Sequence, residues 1–150
     1  MSYNLHSPQV LETMAKGNIR KANEFMGTVY TFTATVVHGN HLGRTLGFPT
    51  ANLELLEDNP FLPAFGVYAV DAEYHHVRYK GMANAGMRPT INGTTMTLEI
   101  NLFDFSGDLY GKTLAVRFLD RIRDEQKFGS LDDLVKQLHL DKAAALELLA

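Results

Sequence analysis

From residue 28 to residue 122 the chain shows no helical spacing of apolar residues, and it repeatedly shows the texture of strands. Residues 28–38 are rich in Thr, Val, Tyr and Phe, the β-branched and aromatic types that fit a pleated surface. Residues 66–74 set Val67, Ala69 and Asp71 against Tyr68, Val70 and Ala72, a period of two. Residues 77–85, 95–103 and 113–122 read as three further strands. Residues 77–85 are expected to pair back on 66–74 although Tyr74-His75-His76 lacks a good turn residue, and Asn92-Gly93 is a far better hairpin signal. Sequential strands joined by short connections predict an antiparallel sheet closed into a small barrel, a mainly β fold.

Helices are expected on both sides of this β region. Ser7 can cap and Pro8 suits a first helical turn, Leu11, Met14 and Ala15 form an apolar stripe, and Gly17 ends it. Asn18 can cap a second short helix carrying Ile19, Ala22, Phe25 and Met26. Ser130 with Asp133 makes a capping-box-like start, followed by Leu131, Leu134, Val135 and Leu138 at helical spacing. Asp141 reads as the start of a further helix bearing Ala144, Ala145, Leu148 and Leu149. Residues 1–26 are therefore expected to be a helical linker segment and residues 27–150 one domain. A length of 150 residues with 45% hydrophobic content can build one real core.

Charge and composition narrow the partners. A formal net charge of -3 supplies no basic face for a nucleic-acid backbone. The chain has no cysteine, which excludes disulfides and thiolate metal sites. No apolar run approaches the roughly 20 residues of a membrane span, and the first residues do not form a signal peptide. A cytoplasmic protein without a membrane partner is expected.

Two stretches can carry chemistry. In Val36-Val37-His38-Gly39-Asn40-His41-Leu42-Gly43-Arg44-Thr45-Leu46-Gly47-Phe48-Pro49-Thr50-Ala51-Asn52-Leu53, three glycines spaced four apart follow a β-branched run. Glycines let backbone N–H groups approach a phosphate closely, and Arg44 adds a fixed cationic fork. The bland reading is a loop whose glycines only turn the chain. Pro49 biases the tetrad toward extended backbone, in which Thr50 and Asn52 face one side. Their hydroxyl and amide oxygens are hard ligands of the kind Mg²⁺ accepts when phosphates and water complete its shell. In the second stretch, 95–102, alternation puts Leu98 and Ile100 on one face and Thr97, Glu99 and Asn101 on the other, where a carboxylate is ordinarily just solvated.

The string G-x-x-x-G-R-x-L-G-F-P-T-A-N-L, read from Gly39 to Leu53, closely resembles the signature of bacterial riboflavin kinases. Further motifs follow in that family's order. Asn84-Ala85-Gly86-Met87-Arg88-Pro89-Thr90 resembles N-I-G-x-R-P-T, with Ala85 in place of isoleucine. Glu99-Ile100-Asn101-Leu102 resembles E-x-H-L or E-x-N-L, and residues 123–131 resemble R-x-E-x-K-F-x-S-L. The match runs over roughly residues 27–140.

The resemblance implies a six-stranded antiparallel Greek-key barrel that moves the γ-phosphoryl of ATP to the 5′-hydroxyl of riboflavin, giving FMN and ADP. It implies Glu99 as catalytic base and Thr50 and Asn52 as the Mg²⁺ site, other divalent metals not being excluded. Gly39, Gly43, Arg44, Gly47 and Thr50 would bind ATP, and Arg123, Phe128 and Ser130 would hold the flavin. The competing reading of the last group is an exposed charged loop with Phe128 plugging the barrel end. A flavin or nucleotide carrier without catalysis is the alternative function. Tyr110 can either stack on adenine or seal the core.

In two-domain FAD-synthesis proteins of this kind, a segment similar to Gly17-Asn18 through Asn23 joins an N-terminal adenylyltransferase (FAD synthetase) domain to the kinase. His38-Gly39-Asn40-His41 does not fit the H-x-G-H of adenylyl transfer, so the chain is expected to stop at FMN.

Overall fold

The computed structural model describes residues 7–37, 47–48, 50–55, 64–91, 93–105 and 107–150. Two short helices, α1 (Pro8–Ala15) and α2 (Ile19–Met26), precede the strands β1 (Tyr30–Val37), β2 (Ala51–Leu55), β3 (Gly66–Tyr74), β4 (Val77–Thr90), β5 (Gly93–Leu102) and β6 (Thr113–Arg123). A long helix, α3 (Leu131–Leu148), ends the chain. All strand pairs are antiparallel, and they close a barrel in the order β1-β2-β5-β4-β3-β6. The meander β3-β4-β5 with β6 returning beside β3 is a Greek key.

The helix boundaries follow local chemistry. Asn18 accepts a hydrogen bond from the Lys21 N–H at 3.2 Å and starts α2, and Gly27 ends it at φ +71°. Asn23 then ties α2 to the barrel. Its side chain donates to the Phe118 carbonyl at 2.9 Å and accepts from the Tyr30 N–H at 2.8 Å. Val10, Met14, Ile19 and Ala22 enter the same core cluster as the barrel interior.

Inside the barrel, Phe32, Tyr68 and Phe118 form its aromatic centre, with ring centroids 5.1 to 5.5 Å apart along Tyr68–Phe118 and Phe32–Phe118. β3 is buried from Gly66's neighbour Val67 through Ala72 because both its faces are covered. Tyr68, Val70 and Ala72 belong to the interior cluster. Val67 and Ala69 belong to a second cluster, with Phe48, Met82, Phe103 and Ala145, between the outer wall and α3.

Residues 77–85 pair back on β3 as expected, and one sequence expectation, the helix start at Asp141, changes. The Tyr74-His75-His76 turn is a two-residue hairpin joining the Tyr74↔Val77 pair, with His75 at φ 51° and His76 at φ 63°. These are the left-handed values such turns require, adopted here by two residues other than glycine. Asp141 starts no further helix. It lies inside α3, which runs unbroken from Leu131, and its carboxylate accepts from Arg123 and Gln137 instead of capping a helix start. Leu109 rather than Tyr110 enters the core, and Tyr110 is exposed.

Candidate functional site

The barrel's register assembles the site. Asn52 in β2 stands opposite Glu99 in β5, Glu99 opposite Asn84 in β4, Asn84 opposite Val67 in β3, and Val67 opposite Arg123 in β6. Directly opposed residues share a sheet face. One row across five strands therefore carries an amide, a carboxylate, a second amide, an apolar residue and a guanidinium on the outer wall.

α3 covers part of this wall and makes a cavity of about 230 Å³. Thr50, Asn84, Glu99, Asn101 and Arg123 line it from the barrel, Glu125, Gln126 and Phe128 from the segment after β6, and Leu134, Leu138 and Asp141 from α3. The face that alternation alone would leave to solvent is thus partly closed. Asn101 is only 6% exposed and Glu99 is intermediate.

β6 is irregular where it enters the site. Its register with β3 shifts between Val67 and Tyr68 and again between Ala69 and Val70. In a regular strand Arg121 and Arg123 would share a face. The bulges instead set Arg121 opposite interior Tyr68 and Arg123 opposite outward Val67. The Arg121 guanidinium lies over the Tyr68 ring at 5.9 Å and pairs with Asp124 at 2.8 Å. Burial pushes the Tyr68 phenol up to about 12, against the pull of Arg121.

Arg123 is held on several sides. Its Nε and Nη2 donate to Asp141 Oδ1 and Oδ2 at 2.8 and 2.9 Å, and its Nη1 donates to the Asp124 carbonyl at 3.0 Å. Its guanidinium carbon sits 5.6 Å from the centre of the Phe128 ring. Glu125 reaches back over Gly86, where an added Cβ would lie 2.3 Å from its Oε1.

Of the residues expected from sequence, Thr50, Glu99, Arg123 and Phe128 share the cavity wall. Asn52 is adjacent to Glu99 in the ladder but is not on the wall. Ser130 caps α3 by accepting from the Asp133 N–H at 3.1 Å, is exposed, and does not line the cavity. Gly47 is exposed at φ +86° with open space around it. Gly39, Gly43 and Arg44 lie outside the described residues. Sequence reasoning missed Glu125, Gln126 and Asp141. The first two sit inside the R-x-E-x-K-F stretch, while Asp141 had no signal beyond being a polar residue in a leucine-rich helix.

The comparisons with known proteins decide the family. A family model described as Flavokinase, riboflavin kinase, matches residues 26–149. The chain belongs to the riboflavin kinase family. A bifunctional riboflavin kinase/FMN adenylyltransferase of Haemophilus influenzae is 42% identical over 142 residues, which are 94% of this chain and 46% of that protein. The chain therefore spans about half the length of the curated relatives it matches. A solved structure of a Streptococcus pneumoniae protein named as a macrolide-efflux protein superposes with a TM-score of 0.87 at 42% identity. It is covered over 46% of its length and covers 95% of this chain. The riboflavin kinase of Trypanosoma brucei superposes with a TM-score of 0.56 at 25% identity, over 79% of this chain and 78% of its own. Among the described residues of this riboflavin kinase domain, no helix is long and apolar enough to cross a membrane.

Proposed function

We propose that this domain transfers the γ-phosphoryl group of ATP to the 5′-hydroxyl of riboflavin, releasing FMN and ADP. The observation that carries the reading is the row across the outer wall, in a chain of the riboflavin kinase family. Glu99 and Arg123 are three strand spacings apart along it, roughly 14 Å at about 4.8 Å per spacing. That span suits a ligand with a flat ring at one end and a polyol ending in a reactive hydroxyl at the other. Phe128, Val67 and Leu138 offer the ring apolar surface, and Arg123 offers it N–H donors.

The residues' tasks follow from the chemistry. Glu99 accepts the proton of the 5′-hydroxyl as its oxygen bonds to the γ-phosphorus and the bond to ADP breaks. An alcohol is much less acidic than a carboxylic acid, so this proton moves late, and positioning carries most of the rate. Asn84 and Asn101 flank Glu99 across and along the strands, where amides can orient the acceptor hydroxyl. The glycine stretch through Gly47, with Arg44, binds the ATP phosphates.

Among the described residues no group of three or more His, Asp or Glu side chains could by itself hold a metal. Thr50 on the cavity wall and Asn52 beside Glu99 supply neutral oxygens, a donor set that fits a Mg²⁺ ion arriving with nucleotide phosphates. When bound, the ion would neutralise charge on the phosphate oxygens. Longer relatives join a kinase to an adenylyltransferase, and we take such a domain to be the natural neighbour of this one. Incubating the purified chain with riboflavin, ATP and Mg²⁺ and separating the flavins tests the reading. FMN formation is expected, and riboflavin binding without turnover would favour a carrier.

A further inference from the structure

Asp141 is 1% exposed, yet it sits in the middle of α3 with both carboxylate oxygens engaged. Gln137, one turn earlier, donates to Asp141 Oδ1 at 2.9 Å, so the carboxylate is itself fixed. Replacing a buried ion pair by well-packed apolar residues is often neutral or stabilising, so stability alone does not call for a charge here. The pair also faces the cavity, where Arg123, Phe128 and Asp141 meet.

On the riboflavin-binding reading above, we propose that Asp141, supported by Gln137, is a positioning residue that orients Arg123 for the flavin ring. A free arginine loses rotamer freedom when a ligand captures it, and that cost lowers affinity. Here three of the five guanidinium N–H groups are committed to Asp141 and the Asp124 carbonyl, and Phe128 lies alongside. The Asp141 charge also cancels that of Arg123. The ring end of the cavity then presents N–H donors without an excess cation, which suits the carbonyl oxygens of an uncharged ring better than a phosphate. α3 thereby becomes a wall of the flavin site as well as a support for the barrel.

The test is Asp141→Asn, with Gln137→Ala as the milder variant because it leaves the ion pair in place. Riboflavin affinity is measured directly by flavin fluorescence, alongside KM for riboflavin and for ATP. Asp141→Asn is expected to weaken riboflavin binding about tenfold, the cost of ordering one long side chain on binding, with KM for ATP unchanged. Gln137→Ala is expected to weaken it about threefold, in line with one lost hydrogen bond. In an Arg123→Gln background Asp141→Asn should change riboflavin affinity less than about twofold, because its effect runs through the arginine.

Folded variants that bind riboflavin like the parent would overturn the proposal. So would equal losses for ATP and riboflavin, or an undiminished effect in the Arg123→Gln background. Should Asp141→Asn fail to fold, Gln137→Ala decides by the same criteria. A parent chain that neither binds nor phosphorylates riboflavin would instead overturn the kinase reading.

Discussion

Asn52 and Glu99 face each other directly across the β2–β5 ladder, which sets the amide assigned to the cation beside the carboxylate assigned to the proton. Replacing Glu99 by Gln keeps volume and hydrogen-bonding reach and removes basicity. The chemical step should slow by about 10² to 10⁴, roughly 3 to 5 kcal/mol of barrier, with little change in riboflavin affinity. Single-turnover rates and flavin binding, measured on one preparation, check this. A normal rate would remove Glu99 from the base role.

Thr50→Ala and Asn52→Ala address the other side of that pair. Each should raise the Mg²⁺ concentration needed for half-maximal turnover, about tenfold for the loss of one oxygen ligand at roughly 1.4 kcal/mol, while thermal unfolding stays close to the parent. A metal titration of turnover that is superimposable on the parent in both variants would reject the assignment.

The chain should also stop at FMN. Its His38-Gly39-Asn40-His41 lacks the spacing of an adenylyl-transfer motif. Sustained FAD formation from FMN and ATP by the purified chain would contradict this.

Stability in acid should depend on Asp71. It is buried in the outer wall, with Arg117 donating to it at 2.6 and 2.9 Å and Arg78 at 2.7 Å. Burial works to raise its pKa, but the hydrogen bonds from Arg117 and Arg78 outweigh it and hold the carboxyl below its ordinary value. A folded pKa below the unfolded one stabilises at pH above the unfolded value and is lost as pH falls through the folded value. Asp71→Asn should therefore cost about 1 to 3 kcal/mol near neutral pH, since both arginines stay partly solvated, and much less once the pH has fallen through the lowered folded value. Denaturant unfolding at several pH values reads this directly.

Gly66→Ala should destabilise for a backbone reason. Gly66 has φ +152°, and a Cβ there would stand 2.5 Å from the Arg123 carbonyl oxygen, which cannot swing aside as a side chain can. A loss of about 1 to 3 kcal/mol is expected, or about 2 to 4 °C of Tm per kcal/mol. Because the displaced residue is Arg123, riboflavin affinity should fall as well.

Much of the fold was legible because it is local. Strand alternation found both faces of β3, and Asn18, Gly17 and Ser130 marked helix ends by chemistry that acts over a few residues. The pairing of β4 back on β3 was legible, but the left-handed backbone of His75 and His76 was not, since neither residue advertises a positive φ and the pairing of the two strands imposes it. Glu99 looked solvated because alternation reports a face and not what covers it. The cover is α3, brought back over the wall by the segment after β6. Asp141 was misread for the same reason, because its partner Arg123 is 18 residues away in sequence. The parting of Arg121 from Arg123 came from bulges that no residue type announces.

The closed strand order carries a consequence for any larger assembly. Each of the six described strands pairs with a neighbour on either side, and only the far part of the β4–β5 hairpin, beyond Ala85 on β4 and before Glu99 on β5, extends past its outer neighbours. Along the closed part of the barrel a second domain or another subunit has no strand edge to add to, so among the described residues β-augmentation is confined to that hairpin and any other contact uses side chains. Such a contact can be made and broken without disturbing the ladder that holds Asn52, Glu99 and Arg123 in line.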